Sequence, residues 1–293
     1  MSHHYSYSFI SVVNLCSAHA ARLASGVVLL FGIYLKRNKI IAAYKYLNNM
    51  KTIYKSINGI LTEVLTWGEP FHRDVENVII CITGNPGVPH FYIDFASEMH
   101  RNLRMPICVI GHAGHVNITM EGFHKLSKNN KDQDFYDLKT QVDHKLDFLQ
   151  NHLSTNAKIH FIGHSIGAWM IVELLEKNDY LMERVSSVNL LFPTLQRMVE
   201  TKNVIKNVLF LAFDEMDSVQ ALNGDGIAKI KHLTNIIYGK DDGWAPIEYM
   251  EDLKKFEPCL KMTLVPIEHA FVLRFSECVA DMVSNFIKLK TPT

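Results

Sequence analysis

An α/β domain with a mostly parallel sheet and helices on both faces is the architecture the sequence predicts, and three observations carry that expectation. From Glu63 onward, apolar runs of strand length alternate with longer segments of helical periodicity. One junction between the two kinds of segment, at 158–175, is interrupted only by Gly163-His164-Ser165-Ile166-Gly167. Residues able to do chemistry recur just after the predicted strands, where an open parallel sheet gathers its sites.

Taken in order, the predicted strands are 63–67, 78–83, 106–111, 158–162, 187–192, 233–238 and 262–265. The predicted helices are 91–103, 134–153, 166–177, 246–256 and 276–289. The strand 78–82 runs into a loop rich in glycine and proline, Thr83-Gly84-Asn85-Pro86-Gly87-Val88-Pro89, which leads into the helix from Phe91. The strand 159–162 meets the helical pattern 168–175 through the G-x-S-x-G pentapeptide, a nucleophile elbow in its expected strand-turn-helix context. A serine on so sharp a turn sits in strained backbone, and a Cβ at either flanking glycine would crowd a neighbouring element. The alternation lapses between Phe192 and Leu233, where 198–213 is apolar apart from Lys202 and Lys206. That stretch is the place for a lid over the nucleophile, and an apolar inner face there suits an acyl chain or sterol.

In the α/β-hydrolase fold that an elbow implies, the acid and then the base come after the serine along the chain. After the strand 233–238 comes Gly239-Lys240-Asp241-Asp242-Gly243-Trp244, with two adjacent carboxylates, of which Asp242 is preferred over Asp241. After the strand 262–265 comes Ile267-Glu268-His269-Ala270-Phe271. His269 is thus the candidate base for Ser165, with one aspartate fixing its tautomer. An oxyanion hole requires two N–H donors. Ile166, next after the nucleophile, offers one; Asn85 or Gly87 offers the other, because Pro86 has no N–H.

Thirty basic and thirty acidic residues balance across 293 residues, and 48% of them are hydrophobic, enough for a substantial core. The balance is uneven along the chain. Residues 1–60 hold Arg22, Lys36, Arg37, Lys39, Lys45, Lys51 and Lys55 and no acidic residue. A basic arm of this kind suits an anionic membrane surface, and no nucleic acid is expected because no DNA- or RNA-binding module accompanies it. Within the arm, 23–35 is an uninterrupted apolar run followed by charges, the order of an uncleaved anchor or interfacial helix. Residues 1–58 are therefore read as an extension and possible membrane anchor, and 59–293 as the hydrolase domain with a lid region at about 198–232. Five scattered cysteines without C-x-x-C spacing read as reduced core residues, and the pair His112 and His115 lacks a third ligand at recognisable spacing, so neither a metal nor another cofactor is expected.

Six stretches together resemble a known family. TGNPGVPHFYIDFA, GHAGH at 111–115, YDLKTQVDHKLDFLQNHL ahead of GHSIGAW, LLFPTLQRM, YGKDDGWAP and IEHAF look like the lipid droplet-associated hydrolase family, over roughly 59–290. The resemblance implies Ser165 as nucleophile, Asp242 as acid and His269 as base. It further implies a serine hydrolase of lipid droplets and the cytosolic face of the endoplasmic reticulum, with weak esterase activity on neutral lipids such as cholesteryl esters. A lipid ester and a droplet or membrane surface are the partners so implied. The other reading is a droplet scaffold that is non-catalytic or transfers acyl groups. The chain departs from the family in a shorter segment at 198–232 and in residues 1–58, which have no counterpart there.

Overall fold

Strands that are apolar throughout must be covered on both faces, and the most apolar strands here lie inside a sheet of eight described strands in the order β1-β2-β4-β3-β5-β6-β7-β8. The computed structural model describes residues 50–115, 137–196, 218–219 and 221–291. All of them belong to one compact unit, Asn48–Met198 with Asn207–Thr293. The strands are β1 (Met50–Ile57), β2 (Ile60–Trp67), β3 (Asn77–Ile82), β4 (Ile107–Ile110), β5 (Lys158–His164), β6 (Val185–Leu191), β7 (Thr234–Gly239) and β8 (Lys261–Val265). β1, β2 and β4 pair antiparallel, and every pairing from β4 through β3 to β8 is parallel. The strands β4, β5 and β7 are buried almost from end to end.

The principal helices are α1 (Ile93–Leu103), α2 (Leu138–Asn151), α3 (Ile166–Lys177), α4 (Asp179–Met182), α5 (Gly224–Ile230), α6 (Tyr249–Leu253) and α7 (Ser276–Lys290). α2 starts where Asp137 caps it, the carboxylate accepting from Thr140 N–H at 2.7 Å. Asn223 caps α5 in the same way at 2.8 Å. The two faces of the sheet divide by strand period: Val78, Ile80 and Ile82 of β3 join the core cluster containing Phe148 of α2, Ile171 of α3 and Ile227 of α5. Ile79 and Cys81 point the other way, and α1 packs with α7 through buried residues outside that cluster, such as Phe95, Met99 and Val283.

Two expectations need correcting. The sheet does not begin after residue 58: β1 pairs with β2 from Met50 opposite Trp67 to Ile57 opposite Ile60, so the hydrolase domain reaches back into the basic arm. The turn between them is Asn58-Gly59 with φ of 48° and 76°, the left-handed pair that a two-residue hairpin demands. Cys81 and Cys108 are core residues as expected, but Cys259 and Cys278 are exposed. Cys16, the apolar run 23–35, and most of the expected lid lie outside the described residues; within 198–232 the described part carries α5. Among the described residues no helix is long and apolar enough to cross a membrane.

Candidate active site

The elbow is held by backbone crowding. Ser165 has φ 53° and ψ −123°, a conformation that costs an L-residue on the order of 1–3 kcal/mol and needs its surroundings to enforce it. A Cβ on Gly167 would lie 2.5 Å from Ile82 O and 2.6 Å from Thr83 O, and one on Gly163 would lie 2.7 Å from Ala168 Cα. Only glycines let α3 approach β3 and β5 this closely, and the strain sets Ser165 between the end of β5 and the start of α3.

The expected acid and base converge on that serine from the ends of β7 and β8. His269 Nε2 lies 2.9 Å from Ser165 Oγ, and His269 Nδ1 lies 2.8 Å from Asp242 Oδ2. A carboxylate only accepts, so Nδ1 carries the proton and Nε2 is left as an acceptor for the serine hydroxyl. The other oxygen of Asp242 accepts from Trp244 N–H at 2.7 Å and Ala245 N–H at 3.0 Å, which fixes the carboxylate in its own turn. Asp242 is buried and Asp241 is exposed. Ser165 Oγ also lies 3.3 Å from Thr194 Oγ1, beyond the usual O–H···O range, so His269 is the closer partner. The imidazole of His269 has the rings of His164 at 5.0 Å, Trp244 at 6.2 Å and Phe192 at 6.3 Å around it.

Ile166 N–H stands at the first residue of α3, where it has no intrahelical acceptor and adds to the positive end of the helix. The loop after β3 passes close to Ser165, since a Cβ on Gly84 would lie 2.9 Å from that of Ser165. Its donors are not equivalent. Gly87 N–H, one of the two alternatives expected for the second donor, closes a turn onto Gly84 O at 2.7 Å and so is already occupied. Gly84 N–H donates to Tyr92 Oη at 2.7 Å. Asn85 N–H has no partner among the described residues, which leaves Asn85 and Ile166 as the available pair.

Several polar residues nearby were not singled out by the sequence. His144 Nε2 lies 2.6 Å from Thr62 Oγ1, and Lys145 Nζ lies 3.0 Å from His144 Nδ1 and 3.3 Å from Gln141 Oε1. Gln141 in turn brackets Ala113, accepting from its N–H at 2.9 Å and donating to its O at 3.0 Å. Burial pushes the Lys145 ammonium down to about 7 and, with the neighbouring lysine, His144 to about 2. The HAGH histidines pack against the Gly84–Gly87 turn: His115 Nδ1 bonds Pro86 O, and His112 N–H donates to Gly87 O at 3.1 Å. Among the described residues no group of three His, Cys, Asp or Glu side chains is placed to hold a metal ion.

The sequence profile of the lipid-droplet associated hydrolase family matches residues 75–203 and 197–272, a span that contains Ser165, Asp242 and His269. The lipid droplet-associated hydrolase of Drosophila melanogaster is 32% identical over 303 aligned positions, covering 82% of this chain and 98% of that one. The mouse protein of the same name (Mus musculus) is 29% identical over 308 positions, covering 80% and 94%. Both alignments are longer than the 293-residue chain while using only part of it, so these relatives carry residues that it lacks. Among solved structures, a bacterial membrane phospholipase A superposes with a TM-score of 0.64 at 13% identity, over 92% of this chain and 98% of that one. Est1E from Butyrivibrio proteoclasticus, with ferulic acid bound, gives 0.59 at 14% identity over 81% and 98%. At such identities the likeness shows the α/β-hydrolase fold alone. The profile and the curated relatives go further, and the chain belongs to the lipid-droplet associated hydrolase family.

Proposed function

We propose that the protein is a lipid droplet-associated serine hydrolase that cleaves hydrophobic acyl esters, a cholesteryl ester or another neutral lipid, at the cytosolic face of droplets and the endoplasmic reticulum. The observation that carries this reading is the continuous chain Ser165 Oγ, His269 Nε2, His269 Nδ1, Asp242 Oδ2, with steps of 2.9 and 2.8 Å. Ser165 Oγ attacks the ester carbonyl carbon as its proton passes to His269 Nε2, and Asp242 stabilises the imidazolium from the Nδ1 side. Ile166 N–H and Asn85 N–H receive the oxyanion. The tetrahedral species collapses when His269 gives the proton to the departing alcohol oxygen, leaving an acyl group on Ser165. Water, losing a proton to His269, then attacks the acyl carbon, and the bond to Ser165 Oγ breaks as His269 returns that proton to Oγ, releasing the carboxylic acid. The names of the relatives support the lipid class of substrate.

The full chain and Ser165→Ala are to be compared on p-nitrophenyl esters of two to sixteen acyl carbons and on cholesteryl oleate in emulsion. Turnover that favours the longer acyl chains and disappears in Ser165→Ala is the expected result. Turnover confined to the shortest esters would replace the lipid substrate by a small soluble one, and none from folded wild type would replace the enzyme by a non-catalytic droplet protein.

A further inference from the structure

Behind the catalytic serine runs a second chain of hydrogen bonds whose every proton is determined. Gly84 N–H lies 2.7 Å from Tyr92 Oη, Tyr92 Oη lies 2.7 Å from His164 Nδ1, and His164 Nε2 lies 3.0 Å from the backbone carbonyl of His269. The two ends set the direction. A backbone N–H can only donate and a carbonyl can only accept, so His164 must carry its proton on Nε2 and accept at Nδ1. Tyr92 therefore donates to His164 while accepting from Gly84. One tautomer satisfies all three links.

We propose that Tyr92 and His164 are positioning residues that tie the oxyanion loop to the loop bearing the catalytic histidine, so that the donor at Asn85 and the base at His269 are held in register across Ser165. This inference rests on the serine-hydrolase reading above. Three features carry it. First, the chain joins three separate strand ends: Gly84 follows β3, His164 ends β5 and His269 follows β8. Second, Gly84 is the residue before Asn85, so fixing its N–H fixes the peptide that presents the next donor. Third, both side chains are buried and their rings are locked by neighbours. His164 meets Tyr92 at 5.9 Å and Phe271 at 5.1 Å, both edge-on. Burial, and then the nearby charge of His269, hold the His164 imidazole well below the usual histidine range, which keeps it neutral while His269 turns over protons.

A chain of this kind acts on a group that matters most in the transition state, because the oxyanion does not exist in the bound ester. Removing Oη leaves both Gly84 N–H and His164 Nδ1 without a partner. The expected consequence is a fall in kcat of about 10- to 100-fold with KM within about threefold, the signature of lost transition-state stabilisation.

The test uses the full chain with p-nitrophenyl butyrate, after wild type has been shown to turn over and Ser165→Ala has been shown not to; failure at that stage concerns the serine-hydrolase reading and not this one. Tyr92→Phe, His164→Asn and the double variant are then compared. An Asn oxygen can still accept from Tyr92 but its amide cannot reach His269 O, so His164→Asn breaks the chain at its other end. Each single variant should lower kcat, and the double should fall no further than the worse single, since one broken link disables the chain. A wild-type kcat in Tyr92→Phe would overturn the proposal. So would losses that multiply in the double variant, or a fall in kcat that merely tracks the folded fraction in the same samples; if Tyr92→Phe does not fold, a wild-type kcat in His164→Asn overturns it equally.

Discussion

Replacing Asp242 by asparagine changes one atom, and the hydrogen bonds around that atom determine the effect. Asp242 Oδ1 accepts from Trp244 N–H at 2.7 Å and Ala245 N–H at 3.0 Å, and the amide oxygen of an asparagine must take that place, because its NH2 would otherwise face two donors. The NH2 is then turned toward His269 Nδ1, 2.8 Å away in the wild type. A donor there forces the imidazole into the other tautomer, with the proton on Nε2. Nε2 can then only donate toward Ser165 Oγ, and the serine has no base. The same change in a Ser-His-Asp triad costs on the order of 10⁴ in kcat, or about 5 kcal/mol of barrier. Stability should change much less, since both backbone bonds survive and only the charge-assisted part of the bond to His269 is lost, about 1–2 kcal/mol. The assay is kcat for p-nitrophenyl butyrate, with thermal unfolding monitored on the same preparation. Asp241→Asn is the control, expected within twofold of wild type because Asp241 is exposed. A folded Asp242→Asn variant within tenfold of wild type would refute the tautomer argument, and a large loss in Asp241→Asn would move the acid to its neighbour.

Gly167→Ala should lower the unfolding temperature measurably, because its Cβ would meet two backbone oxygens at 2.5 and 2.6 Å and neither can move alone; a wild-type melting temperature would contradict this. Lys145, with its pKa pushed down to about 7 in the folded chain against about 10.4 unfolded, makes stability rise with pH between those values, since there the unfolded chain binds the extra proton. Lys145→Met removes that rise, so the stability of variant minus wild type in urea unfolding should fall by about 4 kcal/mol from pH 6.5 to 10, with the buried thiols of Cys81 and Cys108 titrating alike in both; a difference constant with pH would contradict it. A chain starting at residue 59 loses β1, with buried Met50 and Ile57, and should melt several degrees below one starting at residue 48; equal melting of the two would show that the hairpin adds nothing.

Features legible in the sequence were short in range or periodic. The elbow could be read because two glycines and a serine do all their steric work within one strand-turn-helix junction. Seven of the eight described strands could be read from apolar runs, most clearly the inner parallel strands β3, β5, β6 and β7, which are buried on both faces and have little need of polar residues. β1 was missed although its turn, Asn58-Gly59, is a strong hairpin signal, since the lysines on its solvent side match the basic arm ahead of it. In the loop after β3, Gly84 to Gly87 is four residues, the length of a β-turn, so Gly87 N–H is the donor that closes the turn and is unavailable to another acceptor. Tyr92 and His164 could not be paired from sequence at all, because 72 residues separate them and only the β3–β5 register brings their elements together. Lys145 and His144 were likewise hidden on a helix whose other charged residues face solvent.

The central claim is that Ser165 is an activated nucleophile, and covalent labelling of the full chain by a fluorophosphonate probe addresses it without a choice of lipid. An activated serine predicts stoichiometric labelling of wild type, an adduct mapped to the peptide containing Ser165, no labelling of Ser165→Ala and much slower labelling of Asp242→Asn. Folded wild-type protein that takes up no probe, or an adduct that persists in Ser165→Ala, would contradict it.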